Sequence, residues 1–162
     1  MRPTIFLSRP AALSLAQEEF FDAWNAHLVG LGFKAERLRR PQYTRNPWEQ
    51  LQSILIRADG VVAFGFSQAS SSDSGAAAAR SWSMRTSPWI HIEAAMAITT
   101  ATPVLAVPEP GIEDGVFEPS VWSDCLYGIP AGIAPSRDAV PARWIDAVRL
   151  AACKCSDGLT GS

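Results

Sequence analysis

The sequence predicts an α/β fold: a single doubly wound, flavodoxin-like domain with a five-stranded parallel sheet in the order 2-1-3-4-5. Three observations predict it. Short, nearly continuous apolar runs rich in β-branched and aromatic residues recur along the 162 residues, as strands buried on both faces of a sheet require. Between them lie longer stretches whose apolar residues return at helical spacing. The two kinds of segment alternate without an internal repeat, so one domain over residues 1–155 accommodates them.

The first strand reads Thr4 to Ser8, where a polar residue and then Arg9 end the apolar run. The first helix covers about Leu13 to Leu31. Phe20, Phe21, Trp24, Leu28 and Leu31 recur along it, Glu18 and Glu19 lie early, where the helix dipole favours anions, and Gly30 and Gly32 can end it. Phe33 to Leu38 is a second strand, less apolar, as suits an edge. A polar loop, Arg39 to Asn46, follows. Asn46-Pro47 places an N-cap before a proline at the first helical position, with Glu49 completing a capping-box-like arrangement. Trp48, Leu51, Ile54 and Leu55 give this helix its apolar stripe, and it ends near Arg57.

Gly60 to Phe66 is the most continuous apolar run and suits the centre of the sheet. Ser67 to Thr86 is a long loop rich in Ser, Ala and Gly, a length usually tied to function or mobility. Ser87-Pro88 opens a helix to about Thr100. Pro103 to Pro108 is a strand whose ends two prolines fix. Glu109 to Ser123 reads as irregular, Leu126 to Ile129 as a last short strand, and Pro141 opens a C-terminal helix with Trp144, Ile145, Val148 and Leu150. Residues from Ser156 to Ser162 read as a disordered tail.

Composition narrows the function classes. A formal net charge of −2 leaves no broad basic footprint, so nucleic acid is not an expected partner; Arg37, Arg39 and Arg40 are a short local cluster. No apolar stretch is long enough to span a bilayer, and the opening run is too short for a signal peptide, so a cytoplasmic protein without a membrane partner is expected. Three cysteines cannot all pair, and Cys125, Cys153 and Cys155 with His27 and His91 make a poor zinc set. No metal or resident cofactor is expected. Gly-rich dinucleotide, Walker A and Gly-x-Ser-x-Gly patterns are all missing, which disfavours Rossmann dehydrogenases, P-loop enzymes and serine hydrolases.

Glu93 is the sharpest candidate for chemistry. It lies in Ser87-Pro88-Trp89-Ile90-His91-Ile92-Glu93, among apolar neighbours, on a helix that starts at the carboxyl ends of the strands. A carboxylate in so apolar a stretch is either paired, functional or turned to solvent; burial would raise its pKa and fit it for acid–base or nucleophilic work. Trp89, four residues earlier, shares its helix face and is either a stacking platform for a flat ring or a core residue. Ser8 and Arg9, after the first strand, could meet a ribose and a phosphate, or simply cap and solvate. Phe66, Ser67 and Ser87 border the same crevice, and Arg45 and Trp48 lie by the loop after the second strand.

These residues together resemble the Toll/interleukin-1 receptor (TIR) domain family in its NAD-consuming branch. Ile5-Phe6-Leu7-Ser8-Arg9 resembles the family's Phe-Ile-Ser-Tyr-Arg strand, and Ala58-Asp59-Gly60-Val61-Val62 is similar to its Ala-Asp-x-Val-Val strand. Ser87 to Glu93 looks like its Ser-x-Trp-x-x-x-Glu helix, and Pro103 to Val107 matches the strand that follows. The resemblance runs from Thr4 to about Leu150 and implies that Glu93 assists cleavage of the nicotinamide–ribose bond of NAD. Water would give ADP-ribose, an internal nucleophile a cyclic isomer, and small bacterial members serve in antiphage defence.

The resemblance also implies a homo-oligomer or TIR–TIR assembly in which the loop Arg39 to Asn46 completes a neighbour's site. The chain departs from the pattern at Arg9-Pro10, where the family has Tyr-Arg, and in its long Ser67 to Thr86 loop. Two other readings belong beside it. One is a nucleotide N-glycosidase of the nucleoside deoxyribosyltransferase type, which shares the core and a helical glutamate. The other is a non-catalytic adaptor or nucleotide-binding scaffold.

Overall fold

A computed structural model describes residues 2–38, 47–68 and 85–157 of the chain. Five strands form one all-parallel sheet in the order β2-β1-β3-β4-β5. They are β1 (Thr4–Ser8), β2 (Lys34–Glu36), β3 (Gly60–Gly65), β4 (Val104–Pro108) and β5 (Leu126–Gly128). Among the described residues four helices connect and flank them: α1 (Leu15–Gly30), α2 (Pro47–Arg57), α3 (Pro88–Thr99) and α4 (Ala142–Asp157).

The sheet's two faces carry separate cores because strand side chains alternate. Ile5, Leu7, Val62, Phe64, Leu105 and Val107 pack with Phe21, Trp24 and Leu28 of α1 and Trp144 and Val148 of α4. Phe6, Val61, Ala63, Val104 and Ala106 face the other way, onto Leu51 and Leu55 of α2 and Ile90, Ala94 and Ala97 of α3. Every residue of β3 and β4 is buried, as central parallel strands should be.

Asp59 locks the register where β1 and β3 begin: its Oδ2 accepts from the Thr4 backbone N–H at 2.7 Å, and its own N–H donates to the Thr4 carbonyl at 2.7 Å.

Several boundaries differ from the sequence expectation. The second strand shrinks to Lys34–Glu36, because Phe33, 1% exposed, turns into the α1–α4 core instead of joining the ladder. The first helix begins one residue after Ser14, whose hydroxyl accepts from the Gln17 N–H while the Gln17 side chain accepts from the Ser14 N–H. This capping box was legible as Ser-x-x-Gln. β3 stops at Gly65, so Phe66 lies beyond the strand. The stretch after β4 contains two short 3-10 turns, Gly115–Phe117 and Pro119–Val121.

The expected disordered tail needs correction at its start: α4 stays helical through Ser156 to Asp157. Residues 39–46, with Arg45 and the Asn46 cap, and most of the loop between Ser67 and Thr86 lie outside the described residues, as does the rest of the tail.

Candidate active site

α3 places Glu93. Ser87 is its N-cap, in an extended conformation, and Pro88 occupies its first turn. The helix is apolar around most of its circumference, with Ile90, Ala94 and Ala97 fully buried, so the turn that carries Glu93 is drawn against the sheet. Glu93 itself is 3% exposed.

β1 supplies its partner. Alternation along the strand turns Phe6 and Ser8 to the α2–α3 face. Ser8, the last strand residue and 1% exposed, donates its hydroxyl to Glu93 Oε2. Burial raises the Glu93 carboxyl from an ordinary 4.5 to about 7, with the Ser8 hydrogen bond opposing part of that rise. The result is a sequestered acid with both protonation states accessible near neutrality.

Trp89 stands one turn before Glu93. It is half-buried and packs against Trp48 of α2, with ring centroids 5.2 Å apart and planes tilted by 41°. Trp48 remains 47% exposed. Two indoles from adjacent helices thus form a tilted aromatic pair at the first turn of the helix that carries the carboxyl.

The other candidates are arranged differently. Arg9 sits on the α1 side: its guanidinium lies 4.9 Å above the Phe21 ring, and Nη1 donates to the Pro10 carbonyl at 3.3 Å. The cation over a core aromatic is therefore separated by the strand from the Glu93 side. Phe66 is a core residue, 1% exposed, stacked on Phe64 at 5.7 Å and met edge-on by Phe20 at 6.0 Å. Both ring contacts are with the protein's own aromatics, so the described structure shows Phe66 packed in the core and presents no face of it to a substrate. Ser87 is half-buried; its hydroxyl makes no cap hydrogen bond, and its carbonyl receives the Ile90 N–H at 3.0 Å.

Ser67 belongs to a second polar cluster that sequence reasoning missed. Glu109, the residue after β4, accepts at a single oxygen from the Ser67 N–H at 2.7 Å, the Ser67 hydroxyl at 2.8 Å and Gln17 Nε2 at 2.9 Å. The Glu109 N–H donates to the Gly65 carbonyl at 2.8 Å. This carboxylate ties the ends of β3 and β4 to the first turn of α1. A Glu directly after a strand was the visible signal, but three donors converging on it from two distant segments required the fold.

Thr86, just before the α3 cap, is another missed residue. It is 5% exposed, and its buried hydroxyl has no hydrogen-bond partner among the described residues. His91 faces the connection after β4. Its ring lies 5.6 Å from that of Phe117, and Nε2 is 3.8 Å from Asp114. Gly115 passes so close, at φ +58°, that a Cβ there would stand 2.6 Å from His91 Nδ1.

Among the described residues no group of three or more His, Cys, Asp and Glu is placed to hold a metal ion, and no helix is long and apolar enough to cross a membrane. Neither protein-family models nor curated proteins yield a match to this chain.

Proposed function

We propose that this chain is an N-glycosidase of the NAD-consuming TIR type, cleaving the nicotinamide–ribose bond of NAD, with Glu93 as its catalytic carboxylate. The observation that carries the reading is one buried carboxyl at the carboxyl end of the central strands, held by Ser8, with its pKa raised to about 7. In doubly wound sheets ligands bind at that end, near the point where strand order reverses, and here β1 and β3 flank that point.

The chemistry follows from charge. The pyridinium of NAD leaves as neutral nicotinamide, so the departing group needs no proton. Positive charge instead grows on the ribose in an oxocarbenium-like transition state. An ionised Glu93 beside that sugar stabilises the charge, and does so more strongly in a buried setting than in water. The same carboxylate can take the proton of an attacking water as ADP-ribose forms; attack by a nucleophile within the substrate gives the cyclic isomer. Trp89 and Trp48 offer a stacking surface for a flat ring, and Ser8 keeps Glu93 in one orientation. NAD is the substrate, and the scheme uses no resident cofactor. Self-association, completing the site with residues of a second copy, belongs to this reading.

The test is product analysis by chromatography and mass spectrometry. Wild type and Glu93→Gln are incubated at high protein concentration with NAD and, separately, with purine and pyrimidine nucleoside monophosphates. Release of nicotinamide by the wild type and its loss in a folded Glu93→Gln support the proposal. Full turnover by the mutant removes Glu93 from the mechanism. Base release from monophosphates alone moves the assignment to the deoxyribosyltransferase type, and no turnover of any substrate favours a non-catalytic scaffold.

A further inference from the structure

At the opposite end of the sheet, where β1 and β2 begin and α1 and α4 finish, lies a cavity of about 440 Å³. Pro3, Leu31 and Phe33 give it an apolar lining, and two arginines from separate segments, Arg2 and Arg149, border it. Arg2 is fixed in place: Nε donates to the Gly32 carbonyl at 3.0 Å and Nη2 to the Val29 carbonyl at 3.0 Å. That anchorage depends on the turn at Gly32, whose φ of +96° brings the last carbonyls of α1 round to the guanidinium. Arg149, exposed on α4, has no hydrogen-bond or ion-pair partner among the described residues.

Among the described residues no Asp or Glu lines the cavity, although the chain as a whole carries a net charge of −2. The Val29 and Gly32 carbonyls engage Nη2 and Nε of Arg2, while Arg149 faces the recess with no counter-charge among the described residues. An anion in the recess supplies that counter-charge, and the planar fork of arginine suits phosphate oxygens.

We infer that this cavity binds a small organic phosphomonoester, its phosphate between Arg2 and Arg149 and its apolar body against Pro3 and Leu31. A phosphomonoester carries a charge of about −1.5 to −2 at neutral pH, which matches two guanidinium groups where a carboxylate matches one. The cavity volume falls in the range of small-molecule sites, and its mixture of apolar surface with few charged groups is typical of them. The site lies at the far end of the strands from Glu93 and is independent of the glycosidase reading.

Cys153, an exposed free thiol that also lines the cavity, provides the readout. Alkylation by iodoacetamide is followed by mass spectrometry after trypsin digestion; cleavage after Lys154 separates Cys153 from Cys155. The probes are phenyl phosphate, AMP and inorganic phosphate, and calorimetry on the same samples detects binding that leaves the thiol open. Phenyl phosphate or AMP should slow alkylation of Cys153 and leave Cys125 unchanged, and whichever protects identifies the preferred body.

Arg149→Gln, an exposed change that the fold tolerates, should raise the concentration needed by about tenfold or more, as loss of a charged hydrogen bond does. Glu93→Gln should leave it unchanged. Three results overturn the inference: no binding of either ester, binding unaffected by Arg149→Gln, or equal effects from inorganic phosphate, which would reduce the site to charge alone.

Discussion

The chemistry of the candidate site turns on two side chains that lie 85 residues apart in the chain. Burial disfavours the ionised form of Glu93 and the Ser8 hydroxyl favours it; burial is the larger effect, and the carboxyl settles at about 7. If the ionised form stabilises the ribosyl cation, turnover of NAD should rise with pH through a midpoint near 7. Ser8→Ala removes the contribution that lowers the pKa, so its midpoint should move upward while the profile keeps its shape. A pH–rate profile of each protein checks both. A midpoint at the ordinary carboxylate value, or a downward move in Ser8→Ala, is incompatible with this account.

At this scale Glu93 was legible because an acid in an apolar helix announces itself, whereas the Ser8 hydroxyl gave no sign of its partner. Arg9 and Phe66 show the converse. Each stands next to a strand end on the carboxyl side of the sheet, but their neighbours on the α1 face, Phe21 and Phe20, claim them.

Among elements, the connections determine how α3 meets the sheet. The Gly115–Phe117 turn packs on its exposed side through Gly115 and His91, and α2 meets its first turn through Trp48 and Trp89. Beyond β3 and β4, Glu109 holds three donors at one oxygen, and the Gln68 N–H reaches the Arg85 carbonyl at 2.9 Å, joining the two ends of the long intervening segment. Glu109→Ala leaves those donors without their acceptor, at a cost of roughly 1–3 kcal/mol of stability, and Glu109→Gln, which keeps one accepting oxygen, should cost less. Urea unfolding midpoints rank the two; equal midpoints for wild type and Glu109→Ala would show that water replaces the carboxylate freely.

Element identity was largely readable here, since apolar runs and helical spacing mark the four helices and five strands directly. Their limits were less so. Phe33 and Phe66 continue the apolar pattern of their strands, yet both leave the ladder to fill the α1–α4 core, a choice that depends on Trp144 and Phe20 far along the chain.

Considered as a whole molecule, the sheet order places a charge-prone group where two packed layers meet, and this affects stability. A carboxyl whose folded pKa is raised binds its proton more tightly folded than unfolded. Its stabilising protonation is complete below the unfolded value, near 4.5, and is lost as pH climbs through the folded value, near 7. Above that, the folded state holds a buried anion, and the shift corresponds to roughly 3 kcal/mol at 1.36 kcal/mol per unit. Glu93→Gln has no such titration, and its amide oxygen can still accept from Ser8.

The variant should therefore unfold at a higher temperature than wild type at pH 8. The gap should narrow as pH falls through 7 and close as it approaches 4.5, because the other carboxylates titrate alike in both proteins. Thermal unfolding across that pH range measures the difference directly. The same substitution that the proposed mechanism expects to abolish turnover would then stabilise the fold, as expected where a site keeps a charge against the preference of its surroundings. A gap independent of pH would mean that Glu93 is solvated in the folded protein, and the proposed chemistry would lose its physical basis.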